Sequence, residues 1–146
     1  MKNKRTALLI DDCSIDNFVN NKMIRNYGFS DEVTEFLNPL KALDYLRSLT
    51  DVNQFPDFIF LDLNMPVMSG EEFLEEYHKL DGSIRKRCRL IILSGFVDSG
   101  LTPVFSSNPH VLAMMNKPLI KMNLDYLESL ITSTGIVNRL RNEFAN

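Results

Sequence analysis

The sequence predicts an α/β fold in which a doubly wound, five-stranded parallel sheet is covered by helices on both faces. Short apolar runs alternate along the chain with stretches of helical spacing. The run at residues 58–62 is apolar until it stops on a carboxylate, as in a buried parallel strand. No repeat, low-complexity tract or linker divides the 146 residues. Strands that alternate with helices join by right-handed crossovers, which build a parallel sheet.

The individual elements follow from local signals. The predicted strands are residues 7–10, 33–36, 58–62, 90–93 and 111–115, and the predicted helices are residues 14–26, a helix opening at 39, 71–80, a weak one within 96–108, and 123–132. Ser14 is the expected N-cap of the first helix, and Gly28 the expected end. Pro39 takes a first-turn position that needs no amide hydrogen. The apolar residues at helical spacing in the first helix are Ile15, Phe18, Val19 and Met23.

Composition excludes several classes of protein. The net charge is −3 and 24% of residues are charged, which argues against a nucleic-acid surface. The apolar segment behind the basic N-terminus is too short for a signal peptide or a membrane span, so we expect a cytoplasmic protein without membrane contact. Cys13 and Cys88 belong to no CxxC pattern, so a zinc site or disulfide framework has little support.

Four predicted strands lead into polar residues. These are Asp11 and Asp12, Asp62, Ser94 with Gly95, and Lys117. The carboxyl ends of parallel strands meet at one edge of the sheet, where ligands bind, so we expect these groups to meet. Glycine after the fourth strand would let the backbone approach a ligand closely.

Three clustered carboxylates repel one another, and a divalent cation resolves the repulsion. Hard oxygen ligands, few in number, suit Mg²⁺. Asp62 can then attack a phosphoryl group to give an acyl phosphate, with Lys117 balancing the charge on the phosphoryl oxygens and the Ser94 hydroxyl bonding one of them. Taken singly, Asp62 also suits a turn, Asp11 and Asp12 a helix cap, and Lys117 a solvated charge.

In combination, these residues resemble the receiver domains of two-component response regulators. The resemblance covers residues 6 to about 132. Its motifs are Asp11-Asp12, the run Asp62-Leu63-Asn64-Met65-Pro66 with Gly70 behind it, Ser94-Gly95, and Lys117-Pro118-Leu119. It implies the chemotaxis-type, flavodoxin-like fold with strand order 2-1-3-4-5.

The resemblance also implies a role for each motif residue. Asp62 would be the phosphoacceptor, Asp12 a direct Mg²⁺ ligand assisted by Asp11, the Asn64 backbone carbonyl a further ligand, Ser94 with Gly95 the switch, and Lys117 the phosphoryl-binding cation. The bond between Lys117 and Pro118 would be cis. The donor would be a histidine of a sensor histidine kinase or phosphotransfer protein, and the receiver would catalyse its own phosphotransfer and autodephosphorylation rather than act as a conventional enzyme.

One position departs from the family pattern. Receivers commonly carry an aromatic residue three positions before the lysine, and this chain has Met114 there. The usual aromatic readout of the switch is therefore in question. Asn64 and Phe96, each two residues beyond a motif residue, would tune dephosphorylation, with Phe96 slowing it by shielding the acyl phosphate from water.

We expect residues 1–134 to form the receiver domain and residues 135–146 a helical extension, with no output domain. Two roles are open for the extension: packing on the domain, or presenting Ile136, Leu140 and Phe144 to a partner or to a second copy in a dimer. The resemblance also implies a downstream protein target.

Two alternative functions also use features of this sequence. A degenerate receiver would act only as an interaction module. A haloacid-dehalogenase-like phosphatase also uses an aspartyl nucleophile and Mg²⁺, but it needs a second Asp two residues after the first. Here Asp11 is followed two later by Cys13, and Asp12 by Ser14.

Overall fold

A five-stranded, all-parallel sheet runs through the protein in the order β2-β1-β3-β4-β5, which confirms the predicted topology. The structure, a computed structural model, describes residues 4–80, 82, 88–95, 105 and 107–133. The strands are β1 (Thr6–Ile10), β2 (Glu32–Phe36), β3 (Phe58–Asp62), β4 (Arg89–Ser94) and β5 (Val111–Asn116). The central strand β3 is buried along its whole length, as expected from its apolar sequence.

Four α-helices are described. They are α1 (Ser14–Tyr27), α2 (Pro39–Ser48), α3 (Gly70–His78) and α4 (Lys121–Ser133), with a 3₁₀ turn at Val52–Gln54. Asn38 caps α2 and Pro39 opens it, and Ser69 and Glu72 form a capping box at the start of α3. Most of the predicted helix at 96–108, and the extension at 135–146, lie outside the described residues.

The sheet has an apolar core on each face, because alternate residues of a strand point to opposite sides. One face packs against α2 and α3 through residues such as Ile59, Leu61 and Phe73. The other packs against α1 and α4 through residues such as Phe58, Phe60 and Leu124. The two layers make the fold doubly wound and leave the carboxyl ends of the strands as the edge where loops gather.

Helix α1 differs from the sequence prediction in two respects. Its N-cap is Cys13, whose side chain makes no capping hydrogen bond, and Ser14 is the first helical residue. Most of its apolar stripe faces solvent: Ile15 is 71% exposed and Phe18 is 59% exposed. The residues that α1 buries are Asn17, Asn20 and Ile24. The buried face is therefore partly polar. The asparagines can be buried because they form hydrogen bonds with backbone groups of neighbouring segments.

Candidate functional site

Four strand ends deliver polar side chains to one edge of the sheet. The registers place Ile10 beside Leu61, and Asp62 beside Leu93. Ser94 pairs with Asn116 at the ends of β4 and β5. Neighbouring strands therefore end at nearly the same level, and the residues that follow them share one pocket.

The acidic group predicted from the sequence is present. Asp11, Asp12 and Asp62 each offer a carboxylate oxygen, and these oxygens lie within 4.8 Å of one another. Asp11 and Asp62 are buried, whereas Asp12 is exposed at the mouth of the group. The Asp11 Oδ1 atom accepts a hydrogen bond from the Cys13 amide at 2.9 Å, which orients the carboxylate as the chain turns into α1.

The ammonium of Lys117 reaches this acidic group from the loop after β5. Its Nζ atom lies 2.8 Å from Asp11 Oδ2 and 3.2 Å from Asp62 Oδ1. A third carboxylate oxygen, Oδ2 of Asp16, lies 2.9 Å from the same atom. The Lys117 backbone amide donates to the Ser94 carbonyl at 2.7 Å. The lysine is thus held to β4 by its backbone and to three carboxylates by its side chain.

The surroundings of Asp62 disfavour the charged form of its carboxylate. Burial raises the pKa of Asp62 to about 6, and repulsion from Asp11 adds to the increase, although Lys117 opposes it. For Lys117, burial disfavours the charged form, but hydrogen bonds to Asp11 and Asp16 and attraction to Asp62 raise its pKa above the ordinary value. One ammonium therefore does not fully compensate the surrounding carboxylates.

The donor set fits a hard divalent cation. Its three side-chain groups are all carboxylates, and the described residues of the group include no histidine or cysteine. Oxygen donors of this kind select Mg²⁺ over softer metals, and a small ligand count leaves room for water and phosphate. The raised pKa of Asp62 points the same way, because added positive charge would stabilise a carboxylate that burial and then repulsion from Asp11 disfavour.

The loop after Asp62 is held close to the start of α3. The Leu63 amide donates to the Leu93 carbonyl at 2.9 Å, and the Gly70 amide donates to the Leu63 carbonyl at 3.0 Å. A Cβ at residue 70 would lie 3.0 Å from Leu63 Cδ1 and 3.3 Å from Leu63 Cα. Glycine is favoured there because a larger residue would require Leu63 to shift by a few tenths of an ångström.

The remaining predicted site residues differ in how deeply they are buried. Ser94 is buried at the end of β4, and Asn64 and Gly95 are exposed. Met114 is half-buried on β5 and packs against the core on the α2 and α3 side. The peptide bond between Lys117 and Pro118 is cis. Phe96 lies outside the described residues.

Sequence reasoning missed three residues of α1 that support the site. Asp16 bonds Lys117, as described above. The buried Asn17 Nδ2 donates to the Asp11 carbonyl at 3.1 Å and to the Phe36 carbonyl at 3.2 Å. Asn20 Oδ1 accepts from the Leu119 amide at 2.9 Å. The only sequence feature that could have indicated them is the polar character of positions 16, 17 and 20, and polar residues at these positions are equally typical of a solvated helix face.

Comparison with known proteins agrees with this geometry. Residues 7–124 match the family model described as the response regulator receiver domain. The chain belongs to the response regulator receiver family. No curated protein sequence matches this receiver.

Several solved receivers are similar to it. A response regulator receiver protein from Dyadobacter fermentans is 31% identical, with 87% of this chain and 98% of that chain covered and a TM-score of 0.76. A two-component response regulator from Cytophaga hutchinsonii is 25% identical, with 91% and 99% covered and a TM-score of 0.81. The chemotaxis response regulator CheY4 of Vibrio cholerae, at 20% identity, 86% and 98% coverage and a TM-score of 0.69, shares the fold.

Family membership indicates a phosphoacceptor response regulator of the two-component type. It also argues against the phosphatase alternative, because the family model that matches is the receiver domain and not a dehalogenase-like phosphatase. Among the described helices of the receiver, none is long and apolar enough to cross a membrane.

Proposed function

We propose that this receiver accepts a phosphoryl group on Asp62 from a phosphohistidine of a sensor histidine kinase or a histidine phosphotransfer protein. The acyl phosphate then changes which downstream protein the receiver binds. One observation carries the proposal: Lys117 Nζ lies 3.2 Å from Asp62 Oδ1 beside the group formed by Asp11, Asp12 and Asp62.

The chemistry needs a carboxylate nucleophile and a positive environment for the phosphoryl oxygens. An Asp62 carboxylate oxygen attacks phosphorus, the phosphorus–nitrogen bond breaks, and its electron pair stays on the imidazole. Asp62 suits this role because its pKa of about 6 leaves the carboxylate mostly ionised at neutral pH. Lys117 donates a hydrogen bond to the transferred group and balances its charge.

Mg²⁺ would be held by the side chains of Asp11, Asp12 and Asp62 and by the backbone carbonyl of Asn64. When bound, it supplies positive charge that offsets both the carboxylates and the phosphoryl oxygens. The chain's own contribution is to keep these oxygens together: the Cys13 amide orients Asp11, and β3 carries Asp62.

The conformational response to phosphorylation would begin at Ser94 and reach β5. We propose that the Ser94 hydroxyl, with the Gly95 backbone, bonds the phosphoryl group, and that Met114 repacks where other receivers move an aromatic ring. The Lys117 backbone amide donates to the Ser94 carbonyl at 2.7 Å, a contact through which the two positions would be coupled. Asn64 and Phe96 would set the rate of autodephosphorylation.

Intact-mass analysis with acetyl phosphate tests the proposal. We expect the wild-type protein to gain the mass of one phosphoryl group with Mg²⁺ and to gain none with a chelator. Asp62→Asn should gain none in either case. Asp44→Asn is a matched control, because Asp44 is exposed and its ion pair is with Arg47 on α2.

Two results would count against the proposal. An unmodified wild-type protein would favour a receiver that acts only as an interaction module, and a phosphorylated Asp62→Asn variant would place the phosphoacceptor elsewhere. Steady turnover of a phosphomonoester would revive the phosphatase alternative.

A further inference from the structure

We propose that Asp16 is a positioning residue for this phosphoryl transfer: it holds the Lys117 ammonium beside the Asp62 carboxylate. The inference rests on the proposed role of Asp62 as phosphoacceptor. It concerns a residue of α1 outside the acidic group that would bind the cation.

The number of donors and acceptors around the ammonium supports this role. A lysine ammonium has three N–H donors, and Nζ of Lys117 has three carboxylate neighbours. The distances are 2.8 Å to Asp11, 2.9 Å to Asp16 and 3.2 Å to Asp62. The two shorter contacts are to residues that do not react, and the longest is to the proposed nucleophile. Two N–H groups donate hydrogen bonds to Asp11 and Asp16, and the contact with Asp62 is an ion pair, so the third N–H is left for a phosphoryl oxygen.

Asp16 differs from Asp11 in what else its carboxylate would bind. Asp11 belongs to the acidic group that could hold a metal ion, so its oxygens would be shared between the cation and Lys117. Asp16 is absent from that group as the described residues define it. Its carboxylate is therefore available to the lysine throughout the reaction, while the third N–H bonds a phosphoryl oxygen.

The backbone of the same loop is held by the same helix. Asn20, one turn after Asp16, accepts a hydrogen bond from the Leu119 amide at 2.9 Å. Residues four apart lie on one face of a helix. Helix α1 thus fixes the Lys117 side chain with one residue and the backbone two positions later with another, which restricts the lysine to the pocket.

Positioning and charge predict opposite effects of losing Asp16. A further carboxylate beside the pocket repels an anionic phosphodonor, so its removal would speed phosphorylation if charge alone mattered. If Asp16 orients Lys117, its removal slows the transfer because the ammonium gains freedom to turn away. Asparagine separates the two effects, since its amide oxygen still accepts a hydrogen bond but carries no charge.

The experiment measures the rate of Asp62 phosphorylation at saturating Mg²⁺ over a range of acetyl phosphate concentrations. We expect Asp16→Ala to lower the maximal rate about 3- to 10-fold, the range for a partly exposed charged hydrogen bond. Asp16→Asn should stay within about twofold of the wild type, because it restores the acceptor. Asp44→Ala is the control for charge and should match the wild type. Circular dichroism verifies that each variant is folded.

The outcomes distinguish the two proposals. An Asp16→Ala rate equal to or above the wild type would overturn the positioning role, and so would equal slowing of Asp16→Asn and Asp16→Ala. A wild-type protein that accepts no phosphoryl group would instead refute the proposed function of Asp62, and the positioning role with it.

Discussion

Replacing Asp62 by asparagine should stabilise the protein when no divalent cation is present. The pKa of Asp62 is raised from 3.8 to about 6, chiefly by burial and then by repulsion from Asp11. The charged carboxylate is therefore less favourable in the folded protein than in the unfolded chain. Asparagine keeps the shape and an oxygen that Lys117 can contact, but it cannot ionise.

The size and sign of the effect follow from proton linkage. Between pH 3.8 and about 6 the folded protein binds more protons than the unfolded chain, so its stability falls as the pH rises through this window. The shift of about 2 pKa units corresponds to about 3 kcal/mol at pH 7 and above. The advantage of Asp62→Asn should grow from near zero below pH 4 to about 3 kcal/mol at pH 8, as an upper value.

Urea unfolding followed by circular dichroism measures this difference, since the chain has no tryptophan. The titration is made in a chelator at pH 4, 6 and 8 on the wild type, Asp62→Asn and the control Asp44→Asn. Mg²⁺ should narrow the difference at pH 8, because it binds the folded wild type more tightly than the variant that lacks the Asp62 carboxylate. An Asp62→Asn variant no more stable than the wild type at pH 8 in chelator would refute the argument that the uncompensated carboxylates destabilise the pocket.

Three further substitutions test the fold around the site. Gly70→Ala should destabilise by roughly 1 kcal/mol in urea unfolding, because a Cβ there meets the backbone of Leu63 at 3.3 Å; no loss would show that the loop can relax. Asn20→Ala should cost about 1–3 kcal/mol by the same measurement and slow phosphorylation, because it leaves the Leu119 amide without its acceptor; an unchanged phosphorylation rate would contradict that link. Phe18→Ser should cost no more than about 1 kcal/mol, since Phe18 is 59% exposed, and a larger loss would mean that this face of α1 is covered.

The prediction of the fold succeeded where the sequence pattern is local and strong. Residues 58–62 form the fully buried β3, Pro39 opens α2, and Gly28 ends α1 with a φ of +82°. Each feature depends on a few neighbouring residues. Helix α1 was harder, because periodicity identifies an apolar stripe but not whether that stripe meets the sheet. Ile15 faces solvent, while Asn17 is buried against backbone carbonyls.

The sequence by itself determined which groups could meet, because Asp62 ends a strand, Asp11 and Lys117 each follow one, and parallel strands end at one edge. Only the tertiary structure decided how Lys117 divides its hydrogen bonds, and that Asp16 takes one of them. This contact joins residues 101 positions apart in the sequence. It depends on the packing of α1 beside the loop after β5, and no local pattern encodes that distance.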